Sequence, residues 1–206
     1  MEQETGALGI IVERDVPVPM RDGITLRANV FRPDSSGRFP ALVQRTPYGK
    51  AQGGFEDFVR AGYVVVTQDT RGRYASEGEF RVFSEENTGD AEDGYDTVEW
   101  AAVQPWCDGK VGTFGASYNA WMQYQLARLR PPHLVAMSAV SIPTELTDLD
   151  WPRAFKPARR VKWWVTTIAP DLRRRKGLPP PHTPAEAAKI WDELEVRLNA
   201  DNSERL

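Results

Sequence analysis

The sequence has few of the residues that cross-link a chain, export it or anchor it. Among 206 residues there is one cysteine, Cys107. No disulfide can form within the chain, and no cysteine-rich zinc site can be built. Cys107 reads as a small packing residue. Histidine is nearly as scarce: His133 and His182 are the two present. No run approaches the ~20 apolar residues that a bilayer span requires. The opening, MEQETGALGI, is acidic and lacks the basic, apolar and small-residue sections of an export signal. These absences suit a chain in a reducing cytoplasm with no membrane partner. No internal repeat is visible, and the one low-complexity tract is Pro179-Pro180-Pro181.

What is present describes a globular protein. Hydrophobic residues make up 41% and charged residues 27%, which fits one sizeable domain or a domain with an appendage. The net charge is −3 but unevenly spread: residues 153–176 hold nine Lys/Arg against the single acid Asp171, so that segment is +8 and the remainder −11. Trp163 and Trp164 lie inside it. Cations interleaved with tryptophan can hold a polyanion, and they equally well make a solvated helical face. The acidic balance of the whole argues against a nucleic-acid partner.

The pattern along the chain alternates strand and helix. "IIVERDVPV" reads as an edge strand because of its prolines, and "MRDGI" joins it to "ITLRANVFRP" as a hairpin. "ALVQR" is a short strand that ends at Thr46-Pro47-Tyr48-Gly49. "FEDFVRAG" is a short helix stopped by Gly62. "YVVVTQD" is a continuous apolar run, the mark of a strand buried on both faces. A helix over about 90–103 carries Ala91, Tyr95, Val98 and Ala102 on one stripe. "PWCDG" is a turn, 110–114 a strand, and a helix then runs to about Arg130, where Pro131-Pro132 stops it. "HLVAMSAV" is another apolar strand. Such alternation implies parallel strands with crossover helices, an α/β fold with a mostly parallel sheet. The change of pattern after residue 143 divides the chain into a core, 1–143, and a helical segment, 144–206. In the latter, Thr183, Pro184 and Glu186 form a helix-start signature. Ala187, Trp191, Leu194 and Leu198 follow on a stripe.

One stretch carries chemistry. In "KVGTFGASYNAW", residues 110–121, a strand meets a small-residue turn bearing Ser117, and a helix follows. This is the layout of a nucleophile elbow, where small neighbours let the helix pack close to the sheet. Gly115 and Ala116 meet that need, whereas the general G-x-S-x-G pattern fails at Asn119. The same position also suits an ordinary helix N-cap serine.

Five segments, in order, give the chain its likeness: "VPMRDGITLRANVFRP", "TPYGK", "FVRAGYVVVTQDTRGRYASEGEF", "DAEDGYDTVEWAAVQPWCDGKVGTFGASY" and "PPHLVAM". Over roughly residues 12–140 the chain resembles the CocE/NonD hydrolases. That α/β-hydrolase family includes cocaine esterase, α-amino-acid ester hydrolases and X-prolyl dipeptidyl peptidases. Its motif G-x-S-Y-x-G is matched by Gly115, Ser117 and Tyr118, with Ala120 in place of the last glycine. The resemblance implies that Ser117 is the acyl-enzyme nucleophile. It also implies that the Tyr48 hydroxyl and the Tyr118 backbone N–H hold the oxyanion, and that the segment after residue 143 is a helical lid. It implies a small ester, amide or peptide substrate and no metal or cofactor. Trp151, Trp163 and Trp164 are then candidate walls of the acyl pocket. Asp69, Arg71 and Gly72 read as loop-fixing residues beside the site.

Neither histidine suits as the base. His133 precedes its strand, while Ser117 follows a parallel neighbour. A six-residue strand, about 20 Å long at ~3.3 Å per residue, therefore separates it from a nucleophile that needs its base within about 3 Å. His182 lies in a proline-rich loop, and Asp148 and Asp150 could only mimic an acid. In the family the histidine and aspartate follow later strands, so this chain is expected to be the truncated N-terminal portion of a longer hydrolase. It should then be weakly active, with an open sheet edge at "LVAMSAV" through which copies could associate. The competing expectation is a non-catalytic module binding through 153–176.

Overall fold

The computed structural model describes residues 9–83, 89–142 and 158–203. The chain divides into two compact units, Met1–Thr144 and Glu145–Leu206. The first is built on a six-stranded sheet of order β1-β2-β4-β3-β5-β6. β1 (Ile10–Pro19) and β2 (Thr25–Pro33) form an antiparallel hairpin closed at Asp22-Gly23. β2 runs antiparallel to β4 (Val64–Asp69), while β3 (Phe39–Thr46), β4, β5 (Cys107–Ala116) and β6 (Leu134–Val140) are parallel.

All six residues of β4 are buried, as its unbroken apolar run requires of a strand covered on both sides. The two-residue period of a strand separates its side chains. Val64 and Val66 join Val43, Val98, Ala101 and Leu126 in one core, and Val65 joins Phe31, Phe55 and Val59 in another. The helices divide accordingly. α1 (Glu56–Arg60) supplies Val59 to the second core, whereas α2 (Asp90–Ala102) and α3 (Tyr118–Arg128) supply the first. Handedness explains the split. From β3 the chain steps one way to β4, then back across to β5, and right-handed crossovers in opposite directions lie on opposite faces.

Two boundaries differ from the sequence reading. β5 begins inside the "PWCDG" turn, because buried Cys107 pairs with Phe39. It also continues past Phe114, because Gly115 and Ala116 pair with Ala139 and Val140 of β6. β6 closes the sheet on that side, and its Val135, Met137 and Val140 are 61%, 43% and 53% exposed. The buried face of α2 is also rotated from the expected stripe: Asp93, Gly94, Thr97 and Val98 are buried, while Ala91 and Tyr95 are only partly covered.

The second unit is helical. α4 (Ala158–Trp163) passes through a π-helical turn, Trp164–Ile168, into α5 (Ala169–Arg175). α6 (Pro184–Ser203) opens on the expected capping box: Glu186 N–H donates to Thr183 Oγ1, and Thr183 N–H to the Glu186 carboxylate. Of its stripe, Ala187 is buried and Leu194 is 48% exposed.

Candidate active site

Parallel sheets bind ligands beyond the C-terminal ends of their strands, at the point where successive connections leave for opposite faces. Here that point lies between β3 and β5. After β3 the chain turns to α1 on one face, and after β5 it turns to α3 on the other. Tyr48 stands two residues past the end of β3, and Ser117 one residue past the end of β5. The two strands are adjacent and parallel, with Val43 opposite Thr113. Both residues therefore occupy the same edge of the sheet, at its switch point.

Ser117 is the junction of β5 and α3. Its backbone adopts φ 58° and ψ −125°, a region a non-glycine residue enters only when its surroundings hold it there. They do so from both sides. Its N–H donates to Val140 O at 2.9 Å, and its carbonyl accepts from the N–H groups of Ala120 and Trp121. Gly115 makes the turn possible, since at φ 147° a Cβ there would lie 2.6 Å from Asn119 Cβ. The Ser117 side chain is exposed and makes no capping bond to α3, so the N-cap role that the sequence left open is not taken up. Ala120, which replaces a glycine of the family motif, is fully buried, so the extra methyl is packed. Asn119, the departure from G-x-S-x-G, keeps its Oδ1 buried without a hydrogen-bond partner among the described residues.

Tyr118 opens α3. The first N–H groups of a helix lack an intrahelical acceptor and stand at the positive end of its dipole, so the Tyr118 N–H suits an anionic oxygen. The side chain points away from that task. Fully buried, its hydroxyl donates to Asp90 Oδ2 at 2.9 Å and accepts from Phe83 N–H at 2.7 Å. Its ring stacks on Phe83 at 4.4 Å and meets Trp121 edge to face at 5.7 Å. Burial, with the Asp90 charge adding to it, pushes this phenol well above the ordinary tyrosine range, so it stays protonated and anchors the elbow.

The segment after β4 borders the Tyr48 loop. Asp69 is buried and binds Lys50, and the Arg73 guanidinium, fully buried, donates from Nε to Pro47 O at 2.8 Å. Arg71 joins Asp93 at 2.6 Å and Asp22 at 2.7 Å. Its hydrogen bond to the Asp93 carboxylate outweighs burial and raises its pKa further. Arg45, also buried, reaches Gln68 and the Asp90 carbonyl. Asp69 and Arg71 thus have the fixing contacts expected of them. Arg45 and Arg73 were missed, because a charged side chain in a strand or loop reads as solvated when its partners lie far along the chain.

His133 stands at the opposite end of the sheet, its Nδ1 2.7 Å from Glu99 Oε2, as the strand-length argument required. His182 belongs to the second unit, where its Nε2 is 2.6 Å from Leu178 O. Trp163 and Trp164 also lie in that unit and meet edge to face at 6.4 Å. Trp151, Asp148 and Asp150 lie outside the described residues. Of the basic segment, Arg174 pairs with Asp171, and Lys162 lies 3.8 Å from Asp192 and over the Trp191 ring. A cavity of about 300 Å³ opens between Arg21, Arg71, Arg81, Glu79 and Glu92. None of Ser117, Tyr48 and Tyr118 lines it, so it is not this site. Among the described residues no helix is long and apolar enough to cross a membrane.

Comparison with known proteins bears on the family and the fold. The family model for X-Pro dipeptidyl-peptidase (S15 family) matches residues 22–201, which extends the likeness well beyond residue 140. Cocaine esterase from Rhodococcus is 47% identical over 124 residues, covering 56% of this chain and 21% of that protein. A CocE/NonD family hydrolase from Staphylococcus aureus superposes with a TM-score of 0.57 at 36% identity, over 62% of this chain and 27% of the other. An α-amino acid ester hydrolase superposes with a TM-score of 0.65 over 82% of this chain and 31% of the other; at 24% identity it speaks for the fold alone. The chain thus spans between a fifth and a third of the length of these relatives.

Proposed function

The chain belongs to the X-Pro dipeptidyl-peptidase (S15) family, and from that premise we propose that it carries the nucleophile-and-oxyanion half of a serine hydrolase site. The reaction is cleavage of a carboxylic ester or amide, of acyl or X-prolyl dipeptidyl type, through an acyl-enzyme. The observation that carries this reading is Ser117: exposed, free of any capping bond, and held at φ 58° at the sheet's switch point.

In this reading Ser117 Oγ attacks the substrate carbonyl carbon, and the carbonyl π pair moves onto oxygen. The Tyr48 hydroxyl and the Tyr118 N–H receive that charge, each donor contributing roughly 10²–10³ in rate. Collapse of the intermediate expels the alcohol or amine, which takes up the proton lost by Oγ. Water then releases the acid and frees the serine. The proton must travel by a base. His133 is bound to Glu99 at the far end of the sheet, and the chain spans 21% of cocaine esterase. We therefore assign the histidine and its acid partner to the part of the hydrolase that this chain does not span.

A site without its base keeps roughly 10³–10⁴ over water from oxyanion stabilisation and binding. A fluorophosphonate tests this. Oγ displaces fluoride at phosphorus, and the added mass locates the serine. Slow modification of Ser117, about 10³-fold faster than a free serine hydroxyl and absent in Ser117→Ala, is expected, together with negligible turnover of p-nitrophenyl acetate. Modification spread over several serines would refute the assignment.

A further inference from the structure

Tyr48 stands on a loop, and loops are the more mobile parts of a fold. An oxyanion donor must nevertheless be in place before charge develops, since a misplacement of about 1 Å can cost about 10²-fold. Something has to hold the Tyr48 loop still.

The loop is fastened on both sides of Tyr48. On the N-terminal side, Arg73 Nε holds the Pro47 carbonyl at 2.8 Å, and the Tyr48 N–H donates to Thr46 Oγ1 at 3.2 Å. On the C-terminal side stands Lys50. Its backbone N–H donates to Asp69 Oδ1 at 2.6 Å, and its ammonium to Asp69 Oδ2 at 2.8 Å. One residue thus engages both oxygens of one carboxylate, which fixes the direction of its backbone as well as its position. Asp15 meets the same ammonium at 2.7 Å. The Lys50 side chain is 6% exposed and that of Asp69 1%. Burial alone would lower the Lys50 pKa, but its bonds to Asp15 and Asp69 outweigh burial and raise it, so the clamp stays charged. The Ala51 carbonyl is held next by Asn29 and Thr67. Between Tyr48 and Lys50, Gly49 turns at φ 96° with the Tyr74 ring 3.2 Å from where a Cβ would be.

We propose that Lys50, clamped to buried Asp69, is a positioning residue for the oxyanion hole, setting the place of the Tyr48 hydroxyl relative to Ser117. The proposal rests on the hydrolase reading above. Packing alone does not call for the pair, since a buried ion pair is replaceable by apolar residues of similar volume with little loss of stability. What apolar residues cannot replace is the carboxylate that holds the Lys50 backbone N–H, and with it the ammonium, two residues from the donor.

The test is a double-mutant cycle on fluorophosphonate addition to Ser117, followed by intact mass. Lys50→Met is expected to lower the limiting rate of addition about 10–100-fold and to leave half-saturation within about 3-fold. In a Tyr48→Phe background the same substitution should cost less than about 3-fold, because the donor it positions is already gone. Lys50→Met leaves Asp69 buried without its cation, so the paired variant Lys50→Met/Asp69→Leu is measured alongside. It restores an apolar fit and is expected to fold, yet to show the same rate loss. An equal loss in both backgrounds, or an unchanged rate in the folded pair variant, overturns the positioning role alone. Absence of any Ser117 adduct in the parent chain overturns the hydrolase reading, and the positioning role with it.

Discussion

Removing the hydroxyl of Tyr118 tests how the elbow is anchored. Tyr118→Phe keeps the ring, its stacking on Phe83 and its contact with Trp121, so no cavity is made. What is lost is the hydroxyl's donation to Asp90 Oδ2 and its acceptance from Phe83 N–H. A hydrogen bond to a charged group contributes about 1.5–3 kcal/mol, and a buried N–H left without its acceptor costs about 1–3 kcal/mol. The Phe83 bond is only part-buried, so the lower end applies to it, and the sum is about 2.5–4 kcal/mol. For a chain of this length about 2–4 °C accompanies each kcal/mol, so thermal unfolding should shift down by roughly 5–16 °C. The substitution leaves the backbone N–H of residue 118 in place, so fluorophosphonate addition at Ser117 should fall less than about 10-fold, well short of the loss of a whole donor. A midpoint moved by less than ~1 °C would refute the anchoring role. A loss of labelling as large as that of Tyr48→Phe would refute the division of labour between side chain and backbone.

Other expectations follow from the same contacts. Gly115→Ala combines a strained φ, about 1–3 kcal/mol, with an overpacked contact at Asn119, about 1–3 kcal/mol. Urea unfolding should show a loss of about 2–6 kcal/mol, and a loss below ~1 kcal/mol would contradict the close approach seen at the elbow. Acid should also weaken the fold through two surface ion pairs. The hydrogen bond from Lys50 holds the Asp15 carboxyl below the ordinary carboxylate range, and the hydrogen bond from Arg71 does the same for Asp22. A lowered carboxylate pKa contributes stability above its unfolded value and loses it as pH falls through the folded one. The urea midpoint should therefore hold from pH 7 to about 4 and drop below that, and a midpoint that is flat from pH 4 to pH 2.5 would contradict these pairings.

The parts of the molecule legible in the sequence are those whose burial is apolar and whose turns need a special backbone. β4 declared itself as an unbroken apolar run because both faces are covered. Ser117 declared itself because a strand, small residues and a helix meet there. The position of Tyr48 was legible only with the family likeness, and the register between β3 and β5 then put it at the same edge. The buried ionic layer was hidden. Asp93 and Thr97 occupy the inner face of α2, so a stripe drawn through Ala91 and Tyr95 was rotated from the true one. Arg45 is buried against Gln68, the Asp90 carbonyl and the Asp93 carboxylate, and Arg73 donates to the Pro47 carbonyl; all these partners lie far along the chain, and no periodicity records them. Cys107, read as a turn residue, starts β5 because its pairing with Phe39 is long-range.

The account stands on Ser117, Tyr48 and the Tyr118 N–H acting on one oxygen atom. The most direct measurement is a crystal structure of the chain after fluorophosphonate treatment. The account predicts phosphorus bonded to Ser117 Oγ, with one phosphoryl oxygen within about 3.1 Å of both the Tyr48 hydroxyl and the Tyr118 N–H. An adduct whose phosphoryl oxygen faces away from both donors, or one formed on another residue, would contradict it.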